Sequence, residues 1–378
     1  MPTNADKPTV AVFAHDPGGA RAVLKVVQRL QANGSCSLHV FTAGPASALY
    51  ADAGLAPAPL AEEAGALLAR LRPDGLLVGS SIASPADRAL VRAARTLGIP
   101  SMAVVDYWDR YALRFSDLAR PGALDCLPDR VTSIDPQMTA GLVAAGVPAD
   151  RIVETGQPAF DGLPGVASPE GQALRARGRA AWGVGAGERV LLFASQPESA
   201  FCGTGPDNPN WRGFSEVTVL DLVLEVLRER AERGAETVVL MLRPHPREDR
   251  ASFERRVADG GRLAVRLDPL RAPHESVLAA DVVTGLSSIL LMEAALMGRL
   301  ALSLQPGLLG EDSLKSNARG LTFPAYTRPE AAALVARALD APGAMESQLH
   351  ETLRSMRPDG RAAERIAAAL IEMVRPPR

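Results

Sequence analysis

The chain has 378 residues, 47% of them apolar, and its 41 basic and 43 acidic side chains are mixed along its length for a formal net charge of -2. That length exceeds what a single core usually serves, so two domains are expected, and the balanced charge, never gathered into blocks, argues against a nucleic-acid surface or a polybasic membrane patch. Cys36, Cys126 and Cys202 are odd in number and lack metal-ligand spacing, no window approaches the roughly 18 apolar residues of a membrane span, and "MPTNADKPTVAVFAHD" has no basic-then-apolar leader, which together imply a reduced, cytoplasmic protein with no integral membrane segment.

Short apolar runs alternate with helical patterns from the start: "TVAVFAH" then "ARAVLKVVQRLQ", "SLHVFTA" then "ASALYADAG", "GLLVGSS" then "ADRALVRAARTLG", and "SMAVVD". The runs are continuously apolar rather than alternating, as in strands buried on both faces, so they predict a parallel sheet with crossover helices. This domain closes with "RVTSID", the helix "PQMTAGLVAAG" and "RIVETGQP", followed by the Gly/Pro-rich "GQPAFDGLPGVASPEG".

A second series begins at "ERVLLFAS" and runs through the helix "VTVLDLVLEVLRERAERG", then "ETVVLML", "LAVRL", "ADVVTG", the helix "SSILLMEAALMG" and "LALSLQ". The expected organisation is an N-terminal Rossmann-like domain over 1–165, a second of the same type over 166–355, and an amphipathic helix within 356–378 that packs on one of them. Two doubly wound α/β domains facing a cleft would bind ligands at the carboxyl ends of their strands.

That filter selects a few polar residues. His245, in "RPHPRED", follows "ETVVLML" directly; Pro244 and Pro246 stiffen the turn, and the imidazole is either a structural turn residue or a donor to a phosphate oxygen. In "VTGLSSILLMEAALMG", Gly285 allows a tight turn and Ser287 and Ser288 fall at the start of an apolar helix, where hydroxyls, free N–H groups and the helix dipole either serve simple capping or form an anion site. Glu293, about a turn and a half further, is an exposed carboxylate or a ligand for ribose hydroxyls. Ser195 and Gln196, in "ASQPES", follow the first strand of the same domain. Convergence of these loops on one edge favours a nucleotide mono- or diphosphate ligand.

Two Rossmann-like domains, the second carrying "RPHP" and then "GLSSILLMEAALMG", resemble the GT-B glycosyltransferase architecture. The His-Pro and Ser-Ser pair is similar to that of bacterial sialyltransferases, polysialyltransferases and CDP-glycerol glycerophosphotransferases, and "SIDPQMTAGLVAAGVPADRIVETGQPAFDGL" resembles the interdomain region of that superfamily. The resemblance implies donor-phosphate contacts from His245, Ser287 and Ser288, a ribose contact from Glu293, and a nucleotide-activated donor for which a CMP-activated nonulosonic acid is favoured and UDP-sugars and CDP-alcohols stay open, with a glycan, lipid-linked or protein acceptor in surface-glycan or glycoprotein synthesis. UDP-N-acetylglucosamine 2-epimerases are a more distant resemblance; their usual Asp-Ser-Gly-Gly is replaced here by "GLSSI". A non-catalytic nucleotide- or glycan-binding module of the same fold is the third reading.

The two adjacent acidic residues that serve polysialyltransferases as acid/base are not evident in the N-terminal half. In "AHDPGGARAV", Asp16 stands after the first strand as candidate base, with His15 as its competitor and helix capping as the structural alternative. Gly18 and Gly19 permit close approach of a ligand to the backbone, but two glycines do not make a dinucleotide fingerprint. "VVDYWDRYALRF" gathers Asp106, Tyr107, Trp108 and Asp109 after another strand, either to stack and bind a sugar or to pack as a loop. "GSSIAS", residues 79 to 84, binds acceptor or caps a helix. No histidine or carboxylate cluster has metal spacing, so no cofactor or metal is expected, and donor charge falls to His245, Arg243 or Arg247 and the helix terminus.

Overall fold

The continuous apolar runs become strands buried on both faces. In the computed structural model, which describes residues 7–185, 187–258, 263–356 and 359–374, the chain divides into two compact units: Met1–Gly162 with Pro358–Arg378, and Leu163–Arg357.

The first unit is built on seven strands: β1 (Thr9–Ala14), β2 (Ser37–Thr42), β3 (Ala58–Pro59), β4 (Gly75–Val78), β5 (Ser101–Ala103), β6 (Arg130–Ser133) and β7 (Ile152–Glu154). They pair in parallel in the order β3-β2-β1-β4-β5-β6-β7, so the winding reverses between β1 and β4, where open α/β sheets leave a crevice beyond the strand ends. Helix Pro17–Asn33 starts with proline at its first position and stops at Gly34, whose φ of 57° is the left-handed conformation that glycine adopts without penalty. Its Ala20, Val23, Val27 and Leu30 recur at helical spacing and are fully buried against β1. Burying each of its Val and Leu side chains contributes about 1.5 to 3 kcal/mol.

Helix Ala362–Val374 belongs to this unit although the second unit precedes it in the chain. It buries Ile366, Leu370 and Val374 in the core of the first unit. Asp161 accepts hydrogen bonds from the Ala362 and Ala363 amides at 3.1 and 2.7 Å, satisfying the open N–H groups at its start. Val374 lies so close to Gly75 that any Cβ there would collide with it.

The second unit has six parallel strands: β8 (Arg189–Ala194), β9 (Val238–Arg243), β10 (Ala264–Leu267), β11 (Val282–Gly285), β12 (Leu300–Leu304) and β13 (Phe323–Ala325), in the order β10-β9-β8-β11-β12-β13. The reversal here falls between β8 and β11. Helix Pro169–Trp182 is clamped to helix Pro273–Ala279 by Arg177, whose guanidinium grips Glu275 at 2.5 and 3.0 Å, and Gly178 lets the two backbones approach where a Cβ would stand 2.8 Å from that of Ala279. Among the described residues no helix is long and apolar enough to cross a membrane, and Cys36, Cys126 and Cys202 are free thiols.

Candidate functional site

In the second unit, register brings four polar loops to one edge. Ala194 is level with Arg243 and with Gly285, and Gly285 with Ser303, so the segments beginning at Ser195, Pro244, Leu286 and Gln305 leave the sheet together. Gly285 is required for this closeness, because a Cβ there would lie 2.5 Å from the Ala194 carbonyl oxygen.

His245 is half-buried in a closed turn. Its backbone N–H donates to Glu248 Oε2 at 2.5 Å, the Glu248 amide returns a bond to the His245 carbonyl at 2.9 Å, and the Arg247 amide donates to Nδ1 at 3.2 Å. An Nδ1 that accepts must lack a proton, so the neutral ring carries its hydrogen on Nε2, the nitrogen left to donate outward. Burial, then the charge of Arg247, hold its pKa below the ordinary value; the imidazole is a neutral donor at pH 7. Glu248 also accepts from Ser195 Oγ at 2.7 Å. It ties the loop after β8 to the loop after β9, and burial pushes its own pKa up despite those two hydrogen bonds.

Ser288 caps helix Ile289–Leu296, accepting from Leu290 N at 3.3 Å, which leaves Ser287 as the hydroxyl on this rim; it stands 3.5 Å from Gln196 Nε2. The Gln196 side-chain oxygen, Oε1, is buried with no hydrogen-bond partner. Glu293 is held by His274 Nε2 at 3.0 Å, so its carboxylate is neither a free exposed group nor an uncommitted ribose ligand. Arg243 requires a correction: its guanidinium turns away from the rim to bind Asp268 at 2.6 Å, the Leu270 carbonyl at 2.8 Å and Ser276 at 2.9 Å. It anchors the loop after β10, and the exposed cation beside His245 is Arg247.

The first unit presents its own edge. Phe13 is level with Val78, and Val78 with Ala103, so the loops carrying Asp16, Ser80 and Asp106 emerge side by side. Asp16 occupies the N-cap position of helix Pro17–Asn33 yet makes no side-chain cap bond. Its carboxylate instead meets His15 Nδ1 at 2.7 Å. Burial works to raise its pKa, but the Ser81 hydroxyl, His15 and the Ala83 amide outweigh that and hold it below the usual carboxylate value, so Asp16 is ionised at neutral pH. The His15 ring fills the space that a Cβ on Gly44 would need, 2.7 Å from Nε2.

Asp106 is fixed by Arg114, whose Nη1 donates to Oδ1 at 2.8 Å and also to the Ser80 carbonyl and hydroxyl, each at 2.9 Å. Its Oδ2 lies so near Gly18 that a Cβ there would collide with it. Here Gly18 makes room for a carboxylate of the protein itself, while Gly19 is buried at the helix start. In the aromatic loop the sugar-stacking role does not fit Trp108. The indole is 5% exposed, its Nε1 donates to Asp135 at 2.7 Å, and Tyr107 packs edge-on against it at 5.7 Å between ring centroids, so its faces are spent on packing. Asp109 is half-exposed and pairs with Arg110 at 3.4 Å.

Two functional candidates lie outside those expected from the sequence. Glu248 is one. The other is Asp87, 3% exposed in the first turn of helix Ala86–Thr96, with neither oxygen hydrogen-bonded. It lines a cavity of about 10 Å³ together with His15, Asp16, Ser80, Ser81 and Asp106. Among the described residues no group of three or more His, Cys, Asp or Glu is arranged to hold a metal ion.

No family model and no curated protein matches the chain. Solved structures do. The UDP-GlcNAc 2-epimerase of Neisseria meningitidis, bound to UDP-GlcNAc, is 15% identical with a TM-score of 0.65 over 96% of this chain and 100% of that one. A glycosyltransferase from Rickettsia africae is 12% identical with a TM-score of 0.60 over 98% of each chain. An Anabaena protein, HepE, in complex with UDP and glucose is 13% identical with a TM-score of 0.59 over 96% of this chain and 99% of that one. At such identities the likeness is one of fold, and the two parallel-sheet α/β units are those of the GT-B architecture.

Proposed function

We propose that the protein is a metal-independent, inverting glycosyltransferase that uses a nucleotide-activated sugar. The observation that carries this reading is the rim of the second unit. There a neutral His245, oriented through Nδ1 and Glu248, stands on the same sheet edge as Ser287 and the start of helix Ile289–Leu296. A helix N-terminus, a hydroxyl and an Nε2–H donor together suit the developing charge of a departing nucleotide phosphate. Asp16 in the first unit is the base that takes the proton of the acceptor hydroxyl as its oxygen attacks the anomeric carbon.

Sequence resemblance favours a CMP-activated nonulosonic acid. The similar solved structures bind UDP-GlcNAc or UDP, which makes a uridine donor the competing choice. Thermal-shift titration with CMP, CDP, UDP and UDP-GlcNAc separates them: stabilisation by CMP alone supports the sialyltransferase-like donor, and stabilisation by the uridine compounds alone overturns it. A chelator in the turnover assay tests the absence of a metal, since lost activity would contradict it.

A second reading, a UDP-N-acetylglucosamine 2-epimerase-like isomerase, is favoured by the likeness to the Neisseria enzyme over the whole of its chain. It predicts interconversion of UDP-GlcNAc and its C2 epimer with no acceptor present, readable by proton NMR.

A further inference from the structure

Asp87 is the least expected side chain in the molecule. An ionised carboxylate stripped of water and given no donor costs several kcal/mol, and such a group neutralises itself instead. The backbone amides of Ser81 and of Asp87 itself favour the charged form without reaching hydrogen-bonding geometry; Arg88, next along the helix, gives Nη1 to the Ser81 carbonyl at 2.9 Å, while its Nη2 is buried without a partner and its charge favours the ionised form more weakly than burial opposes it. Burial, followed by the charge of Asp16, pushes Asp87 up to about 7.

The other charges near the cavity are accounted for. His15 is bound to Asp16, Asp106 is bound to Arg114, and the neighbouring helix Ala64–Leu71 has one charged side chain, Arg70, held by Glu62 at 2.6 Å away from the cavity lining. A protonated carboxyl carries a donor that needs an acceptor. Of the groups lining the cavity, the Asp16 carboxylate is the ionised acceptor not held by an arginine. A space of about 10 Å³ is also about what one water, or one ligand hydroxyl, would occupy.

We propose that Asp87 and Asp16 share one proton across this cavity, with Asp87 carrying it in the resting protein, so that Asp87 is the positioning residue that keeps Asp16 ionised and available. This rests on the reading of Asp16 as base. When the acceptor O–H bond breaks, its hydrogen goes to Asp16 and the pair holds two protons. One then passes to water at Asp16, the more exposed of the two, and the one-proton state returns. Two carboxyls in one cavity titrate as a pair, their environments pushing them apart in the way that acid and base roles require.

Carboxyl 13C NMR of aspartate-labelled protein between about pH 5 and 9 tests this. Wild type should show one carboxyl titrating near neutrality; the signal should vanish in Asp87→Asn, and in Asp16→Asn its midpoint should fall toward the usual carboxylate range. Absence of a neutral-range carboxyl in wild type, its survival in Asp87→Asn, or an unmoved midpoint in Asp16→Asn would each overturn the shared proton. The wild-type and Asp16→Asn titrations decide the matter even if Asp87→Asn does not fold. Turnover by Asp16→Asn is a separate measurement: normal turnover there removes the base assignment and leaves the proton-sharing result standing.

Discussion

The backbone amide of Arg247 donates to Nδ1 of His245 at 3.2 Å and thereby decides which face of the imidazole can act. The ring is a donor through Nε2, and the stiff Pro-His-Pro turn removes conformational freedom that a ligand would otherwise have to freeze. Replacing His245 by alanine should therefore weaken nucleotide binding by about ten- to a hundredfold, the worth of one hydrogen bond to a charged group. Glutamine, whose amide nitrogen reaches a similar position, should recover part of it. Calorimetric titration with the nucleotide that stabilises the wild type reads both; equal affinity in wild type and His245→Ala would remove His245 from the site.

Glu248 joins two loops through Ser195 Oγ and the His245 amide. Glutamine can still accept from the amide while its NH2 donates to the Ser195 hydroxyl, so Glu248→Gln should cost little. Alanine leaves two donors open and should cost about 1 to 3 kcal/mol. Because burial raises this carboxyl in the folded state, its contribution to stability is fully present below its unfolded pKa and declines as pH rises through the folded one. Denaturant midpoints of the two variants at neutral pH check the split.

Asp312 runs the other way. Burial works to raise it, but Asn317, Gln305 and Tyr326, with the Leu314 amide, give it four hydrogen bonds of 2.6 to 2.9 Å and hold it below the ordinary value. Its contribution is present above the unfolded pKa of 3.8 and lost as pH falls through the depressed folded value. Asp312→Asn should lower stability by about 1 to 3 kcal/mol at neutral pH and flatten the acid side of the stability curve. A parallel acid limb in both proteins would show that another carboxylate is responsible.

Most of the fold was legible because a strand buried on both faces is a local signal, and the loops that matter begin where those runs end: Ala14, Val78, Ala194, Arg243 and Gly285 each close an apolar stretch. Long-range pairing was not legible. Nothing in "RPHP" distinguishes an Arg243 that faces a ligand from one that binds Asp268, 25 residues away. Nothing in "DYWD" shows that Trp108 will be capped by Asp135. Asp87 did leave a trace: in "ADRALVRAART" it shares the i, i+3, i+4, i+7 stripe with Leu90, Val91 and Ala94, all of them buried. A carboxylate on an apolar stripe is a polar group placed in a core, but beside a helix start it reads as an ordinary first-turn acid.

Gly18 should tolerate no side chain. A Cβ there would meet Asp106 Oδ2, and Asp106 has little freedom to retreat because Arg114 holds its other oxygen while Gln157 donates to its backbone carbonyl. Gly18→Ala is expected to destabilise the first unit by about 1 to 3 kcal/mol, the usual cost of forcing atoms into a packed site. Gly54→Ala is a control for space, since no atom lies within 4 Å of a Cβ at that position, although its φ of 75° adds backbone strain. Thermal melts showing Gly18→Ala at wild-type stability would mean that Asp106 can leave its place.

Asp16 carries the catalytic reading and can be isolated from binding. Asparagine preserves its shape and can still meet His15 and Ser81, but it cannot take a proton, and the groups proposed to bind phosphate belong to another unit of the chain. Asp16→Asn should therefore keep nucleotide affinity within about twofold, since it touches no proposed phosphate contact, while turnover falls by about a hundred- to ten-thousandfold, the usual contribution of a positioned base. The wild-type rate should hold through neutral pH and fall only as acid reaches the depressed Asp16 pKa, because the base must be ionised to act. His15→Gln should cost far less than Asp16→Asn, as it removes a neighbour that helps hold that charge rather than the charge itself. If His15→Gln instead proved the more damaging of the two, with Asp16→Asn near normal, the proton would pass to the imidazole and Asp16 would become the group that orients it.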